Sequence, residues 1–205
     1  EASVTPPLDA QRTHQTLREP RSLITIGACP TTGGIQALRN WADCDEFVRS
    51  VYASPDYIST LKTSTAISDH IAVDFELRGC PINQSQLIEV LRSLLAGRRP
   101  RTPVHSVCLD CKRRGTVCVT VAQGIPCLGP VTQSGCEAIC PSYNRGCYGC
   151  YGPSAQPNLV SLTNQFVKEG APADQIVRSL RSFNGYSPEF RVEGDRLAAK
   201  SEAET

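Results

Sequence analysis

Eight cysteines crowd into the stretch from Cys108 to Cys150, and they limit what that stretch can become. They fall into two sets of four. Cys108, Cys111, Cys118 and Cys127 follow one another at x2, x6 and x8 intervals; Cys136, Cys140, Cys147 and Cys150 do so at x3, x6 and x2. Each set contains one CxxC pair and supplies the thiolates that ligate one cubane iron–sulfur cluster or one structural zinc ion. The intervening residues are rich in Gly and Pro and cannot bury enough apolar surface unaided, so an inorganic cross-link is expected to organise the region.

The chain has eleven cysteines, which also raises a secreted disulfide scaffold. The odd count and the polar opening stretch Glu1–Pro20, which lacks the apolar core of a secretory signal, argue against it. A cytosolic metalloprotein fits better. The net charge of +1 gives no field to attract nucleic acid or a membrane surface. No apolar run approaches the roughly 20 residues of a membrane span. The chain contains no Met, and residue 1 is Glu.

Upstream of the cysteine region the pattern is that of an α/β domain. Residues 22–26 are a short β-branched run that stops at Gly27 and reads as a buried strand of a parallel sheet. Gly27-Ala-Cys-Pro-Thr-Thr-Gly-Gly follows, with Ile35, Leu38 and Trp41 then at helical spacing. Alternation of Ile71, Val73, Phe75 and Leu77 within 69–78 reads as a second strand, ending at Gly79-Cys80-Pro81. Leu87, Ile88, Leu91, Leu94 and Leu95 mark an apolar helix face over about 84–96. Strand, cysteine loop and helix thus occur twice, and loops at the carboxyl ends of such strands are where ligands bind. Gly33-Gly34 is too short for a dinucleotide fingerprint.

The basic stretch 97–103 divides the chain into domains 1–103 and 104–205. Downstream, short turns are expected around two centres. A helix capped by Asn158 or Ser161 is expected to run to Glu169, with Leu162, Phe166 and Val167 inward and Gly170 as its stop. A second, over 173–183, would bury Ile176, Val177, Leu180 and Phe183. Residues 194–205 read as a mobile polar tail.

The chemistry of the downstream sulfurs has two readings. Zinc modules set two CxxC pairs 15–20 residues apart, whereas here the only pairs, Cys108/Cys111 and Cys147/Cys150, stand far apart with four cysteines between them. Cysteine precedes proline at Cys29, Cys80 and Cys140, as in ferredoxin-type ligand runs. Spacing and ligand count favour iron–sulfur ligation; a zinc-stabilised, non-catalytic interaction module is the alternative.

These residues also carry a resemblance. Gly27–Asn40, Leu77-Arg-Gly-Cys-Pro81, Val107-Cys-Leu-Asp-Cys-Lys-Arg-Arg-Gly115, Pro126-Cys-Leu-Gly-Pro-Val-Thr132 and Arg145-Gly-Cys-Tyr-Gly-Cys-Tyr-Gly-Pro153 resemble the electron-transferring small subunit of [NiFe]-hydrogenases. The wording is closest to the cytosolic multisubunit branch with NAD(P)-linked enzymes and sulfhydrogenases. The resemblance implies a flavodoxin-like parallel-sheet domain, N-terminally incomplete, followed by an irregular Cys-rich iron–sulfur domain with short helices. It implies a proximal 4Fe-4S cluster ligated partly by Cys29 and Cys80, a distal one by Cys108, Cys111, Cys118 and Cys127, and a medial one by Cys136, Cys140, Cys147 and Cys150. Some relatives have proline at the position of Cys140 and hold three irons there, so four are expected here. The two remaining proximal ligands form an N-terminal CxxC in the family, which this sequence lacks. Glu1-Ala-Ser-Val resembles a stretch that follows the first strand and helix of relatives.

The implied partners are a large subunit carrying the nickel–iron site, which this chain does not contain, and a flavin or other NAD(P)-reducing electron-transfer subunit. A related quinone-reductase subunit with a single cluster is a further alternative, which the eight downstream cysteines argue against. Cys44, on the helix after Trp41, reads as a buried structural thiol. His105 has the His-x2-Cys spacing of another ligand pattern but is read as an exposed loop residue; His14 and His70 are read as surface residues. Lys112-Arg113-Arg114 is either a solvated turn or a set of cations that raises a cluster's potential. Tyr143, Tyr148 and Tyr151 are expected to shield the medial sulfurs from water.

Overall fold

A computed structural model describes residues 22–203 of the chain; the polar opening stretch, His14 and the last two residues lie outside them. Two short strands, β1 (Ile24–Ile26) and β2 (Phe75–Leu77), pair in parallel, with Ile24 opposite Phe75 and Ile26 opposite Leu77. Both form within the expected runs, but shorter. Asp74 closes the ladder early: its carboxylate accepts from the Leu23 amide at 2.7 Å while its own amide donates to the Leu23 carbonyl at 2.9 Å. Residues Ile67–Asp69, just upstream of the expected strand, coil as a turn of 3-10 helix. On β1 it is Thr25 that is buried; its hydroxyl finds no hydrogen-bond partner, while Ile24 and Ile26 are half-buried.

Because the strands are parallel, both cysteine loops leave the same edge of the sheet. The Gly27 amide donates to the Leu77 carbonyl at 2.7 Å and the Ala28 amide to the Gly79 carbonyl at 3.1 Å, stitching the Cys29 segment to the Cys80 segment. The Gly-rich segment is partly helical. α1 (Ala28–Thr32) winds through Cys29 and ends at left-handed Gly33. The following Gly34–Trp41 is a 3-10 helix, where the spacing of Ile35, Leu38 and Trp41 suggested an α-helix. α2 (Cys44–Val51) is capped by Asp43, whose carboxylate accepts from the amides of Asp45 and Glu46.

α3 (Gln84–Leu95) occupies its expected span and is capped by Asn83. Its inward face differs from the expected one. Val90 and Ser93 are buried, whereas Ile88, Leu91 and Leu95 are exposed, Leu95 to 90%. A two-stranded sheet covers only a narrow strip of a packed helix: Leu87 and Leu94 of the stripe are half-buried, and the rest has no cover among the described residues.

Beyond the basic loop come three short helices, α4 (Val107–Arg113), α5 (Val119–Gln123) and α6 (Ile139–Ser142). They surround a small core of Val107, Val119, Cys127, Ala138 and Cys147. The larger core belongs to the C-terminal helices. α7 (Leu159–Lys168) starts at Asn158, whose side chain accepts from the Ser161 amide at 3.0 Å. Leu159, Thr163 and Phe166 face in, while Val167, expected to do so, is exposed. α8 (Ala173–Leu180) buries Ile176, Val177 and Leu180 as expected and stops short of Phe183.

The residues expected to form a mobile tail instead build α9 (Pro188–Ala203), which packs on α7 and α8 through Phe190 and Leu197. Glu193 is also buried on it. Burial opposes its charge, but hydrogen bonds from Arg196 and Thr163 outweigh burial and lower its pKa below the usual carboxylate value. Leu128 and Val131 of the cysteine region insert into this helical core, so the helices support the sulfur-bearing loops directly. Phe190→Ala should therefore cost about 3–5 kcal/mol. Val192→Ala, on the exposed side of the same helix, should stay within about 0.5 kcal/mol. Denaturant unfolding of the two variants checks the contrast.

Candidate thiolate cofactor site

No disulfide links any of the cysteines among the described residues. The first downstream set starts on α4, where the CxxC spacing places Cys108 and Cys111 one helical turn apart. Cys118 is the residue that precedes α5, and Cys127 lies on the segment after it. Cys108 is pushed up to about 11, first by burial and then by the thiols of Cys127, Cys111 and Cys118. Cys111 is raised by burial and by Cys127 and Cys118. Cys108 and Cys111 thus lie within electrostatic range of Cys118 and Cys127, and Cys111 of Cys136 as well.

In the second set, Cys136 and Cys140 are brought together by an unusual turn. Glu137 and Ala138 take left-handed φ values of 57° and 56°, a conformation that costs a non-glycine residue about 1–2 kcal/mol. The Arg114 guanidinium, donating to the Glu137 carbonyl at 2.6 Å, helps hold it. Cys140 is raised by burial and then by Cys136 and Cys127. Cys150 is pushed up to about 12 by burial and then by Cys136 and Cys140. Cys147 is driven well above the usual thiol value, chiefly by burial; its sulfur accepts from the Gly149 amide and feels both Cys127 and Cys150.

The sets abut along a seam. The Cys147 amide donates to the Cys127 sulfur at 3.1 Å, and the Leu128 amide donates to the Cys147 carbonyl at 3.1 Å. Gly146 permits this approach: a Cβ there would sit 2.1 Å from the Pro126 carbonyl oxygen. The upstream pair is arranged more loosely. Cys29 is half-buried on α1 and Cys80 is exposed. Gly34, at φ 58°, leaves room for the Cys29 sulfur, which a Cβ at that position would approach to 2.7 Å. The Cys80 amide donates to the Cys150 sulfur, so the upstream and downstream sites touch.

Residues around the sulfurs settle several other expectations. His105 is half-buried rather than exposed, and its Nε2 pairs with Asp110 Oδ1 at 3.1 Å. Asp110 also accepts from the Ser134 hydroxyl, tying α4 to the segment before Cys136. In the basic turn, Arg113 lies 3.8 Å from Asp110 and Arg114 braces the Glu137 turn, so two of its three cations have local duties. Cys44 is buried, as expected of a structural thiol, and His70 is on the surface. Only one of the three tyrosines is positioned to shield sulfur: Tyr151 is buried, with Cys136 and Cys150 near its hydroxyl, whereas Tyr143 and Tyr148 are exposed. The seam through Gly146 was hidden in the sequence, because nothing local indicates that two segments twenty residues apart must touch.

Adjacent half-buried thiols repel one another as thiolates and are costly to ionise without a counter-charge. A cationic iron core relieves both costs, and backbone amides aimed at sulfur suit it. Among the described residues, no group of three or more His, Cys, Asp or Glu side chains converges as a single metal ion would require. The chemistry of the donors, neutral thiols beside backbone amides, is what a thiolate-held cluster would use.

The chain thus joins an α/β lobe to a cysteine-dense lobe in which no disulfide forms among the described residues. The family model described as NADH ubiquinone oxidoreductase, 20 Kd subunit, matches residues 3–94. Sulfhydrogenase 2 subunit delta of Pyrococcus furiosus is 37% identical over 89% of this chain and 77% of its own length. A subunit of the F420-non-reducing hydrogenase of Methanothermobacter marburgensis is 30% identical over 65% of this chain, which spans about half of it, 54%. A chain of a solved NAD+-reducing [NiFe]-hydrogenase in the H2-reduced state aligns at 24% identity and a TM-score of 0.46, over 50% of this chain and 65% of that one. The chain belongs to the [NiFe]-hydrogenase small-subunit family, which is related to the 20 Kd subunit of NADH ubiquinone oxidoreductase. All eight downstream cysteines lie beyond the family-model match. No helix among the described residues is long and apolar enough to cross a membrane.

Two measurements test the site. Gly146→Ala must push the Cys147 segment off Pro126 and should destabilise the protein by about 1–3 kcal/mol, read by denaturant midpoint. The second concerns pH in the metal-free chain. An unfolded thiol ionises near 9.0 but folded Cys108 at about 11, so between those values the folded state keeps a proton that the unfolded state has lost. Stability of the metal-free fold should therefore fall as pH rises through that window, which thermal unfolding at stepped pH would show.

Proposed function

We propose that the chain is the electron-relay subunit of a hydrogenase complex, holding iron–sulfur clusters between a hydrogen-activating large subunit and an electron-accepting partner. The observation that supports it most is the seam of unbridged thiols in which Cys127 and Cys147 join the two sets. Cys108, Cys111, Cys118 and Cys127 would hold the distal cluster, and Cys136, Cys140, Cys147 and Cys150 the medial one. Cys29 and Cys80 would supply two ligands of a proximal cluster. When bound, such a group accepts and gives up single electrons.

The chain's own residues bind and tune. Amide donors at Gly149, Cys147 and Cys80 stabilise anionic sulfur, and Lys112 adds positive charge beside Cys108. Tyr151 and the buried Cys127 and Cys147 keep water from the inner sulfurs. The α/β lobe is read as flavodoxin-like. Its half-buried Cys29 and exposed Cys80, with exposed Ile35 and Leu38 nearby in sequence, would face the large subunit. The accepting partner is proposed to be a flavin or NAD(P)-reducing subunit, as in the multisubunit branch that the cysteine motifs resemble, and the assembly to be cytoplasmic.

Iron and acid-labile sulfide analysis tests the reading. About eight irons with matching sulfide are expected for the downstream sets alone; two zinc ions and no sulfide would establish the interaction module instead. Cys140→Pro should convert the medial centre to three irons with a higher potential, since Cys136, Cys147 and Cys150 remain. An unchanged iron count would remove Cys140 from the ligand set.

A further inference from the structure

One buried side chain joins the two sulfur-bearing lobes without belonging to either cysteine loop. Asn184 lies in the turn between α8 and α9 and is 1% exposed. Its Oδ1 accepts from the Thr32 hydroxyl at 2.7 Å, and its Nδ2 donates to the Gly149 carbonyl at 2.8 Å. Thr32 is the last residue of α1, the helix that carries Cys29. Gly149 lies between Cys147 and Cys150, and its amide donates to the Cys147 sulfur. A chain of hydrogen bonds therefore runs from the Cys29 helix through Asn184 to the second downstream set.

The turn holding Asn184 is itself fixed. The Ser187 amide and hydroxyl both donate to the Asn184 carbonyl, at 3.0 and 2.8 Å, and the Ser182 hydroxyl donates to the Tyr148 carbonyl at 3.2 Å. The residue type matches the task. An amide offers an acceptor and a donor on one rigid, uncharged plane, which suits a site where a carboxylate would lack the donor and bear a heavy burial cost. Removing it would take the bridging partner from both at once, leaving the Thr32 hydroxyl only the Ala28 carbonyl at 3.0 Å and the Gly149 carbonyl only the Gly152 amide at 2.9 Å, contacts that lie within each loop and no longer tie the two together.

We infer that Asn184 is a positioning residue: it locks the Cys29 helix to the Cys147–Cys150 loop and so fixes the separation of the two sulfur sites. The inference rests on the iron–sulfur reading, because that separation matters functionally only if both sites hold redox centres. It assigns the C-terminal helices a role beyond packing, as the clamp that sets the register of the two lobes.

The test uses the assembled complex with Asn184→Ala, Asn184→Asp and Thr32→Val. Native-state hydrogen–deuterium exchange should show loss of protection in both 28–33 and 146–152 for Asn184→Ala, with protection across the remote α4 helix unchanged. Asn184→Asp should resemble Asn184→Ala in 146–152, because it cannot donate to Gly149. Thr32→Val should loosen 28–33 and spare 146–152; it carries the test if neither Asn184 variant assembles. In the reduced complex, with iron content at the wild-type level, the magnetic coupling between the proximal and medial centres seen by EPR should lose its resolved splitting. Exposure confined to 181–187 with the splitting intact would make Asn184 a local packing residue and overturn the inference. Absence of iron and sulfide from the wild-type complex would instead sink the functional reading, and the inference with it.

Discussion

Several thiols must be kept close together in a poorly hydrated place, and the rest of this structure answers to that demand. Each added sulfur raises the cost of ionising its neighbours, and burial raises it further, as at Cys108, Cys147 and Cys150. The fold counters with amide donors at the sulfurs and a left-handed turn at Glu137 and Ala138 that folds Cys136 back toward Cys140. Among the described residues its positive charge at the sulfurs is sparse, Lys112 beside Cys108 and Arg145 beside Cys140. Of the basic turn, Arg114 is committed to the Glu137 carbonyl and Arg113 to Asp110. The missing counter-charge is the physical reason to expect an inorganic core.

The two lobes depend on the C-terminal helices in ways that the ligands alone would not suggest. Leu128 and Val131, adjoining Cys127, are packed in the core with Phe166, Leu180 and Phe190. Across the lobe boundary, the Trp41 indole donates to Asp195 at 2.9 Å, and Arg181 both pairs with Asp195 and stacks over the Trp41 ring. The Arg78 guanidinium reaches the Pro153 carbonyl at 3.1 Å. These contacts arrive from separate elements and converge on the loops that bear sulfur. Small displacements of the helices would therefore be felt at both sites.

The cysteine-dense stretch was legible because ligand chemistry writes itself into spacing, but in the fold the mutual influence of the thiols crosses between the two sets, as between Cys111 and Cys136 and between Cys140 and Cys127. The α7 and α8 helices were legible because Asn158 caps one and apolar spacing marks the other. α9 was not: Gly194 and a run of charges suggested a tail. Its signals were Pro188 at a helix start and Phe190, Glu193 and Leu197 at helical spacing, but the buried acid disguised the apolar face. The stripe on α3 misled for the opposite reason. Its periodicity announced a helix correctly, yet periodicity reports amphipathicity and not which partner is present: Val90 and Ser93 are buried, while of the stripe Leu87 and Leu94 are half-buried and Ile88, Leu91 and Leu95 exposed. His105 looked free because its partner, Asp110, lies one helical turn into α4 and is invisible to pattern reading alone.

The three sulfur sites differ in how completely the chain encloses them, and the difference orders them. Cys127 and Cys147 are buried at the seam of the downstream sets, so those sites have an interior of their own. Cys29 is half-buried and Cys80 is exposed, on the edge of a sheet with only two strands among the described residues. A thiolate-held centre left in that setting would be open to water and to oxidation of its sulfur. Cover for the upstream site would have to come from beyond the described residues, whereas among the downstream cysteines only Cys118 is exposed. That asymmetry is what the proposed relay would use: an end that is docked before it is protected, joined through Cys80 and Asn184 to an interior built around the buried Cys127 and Cys147.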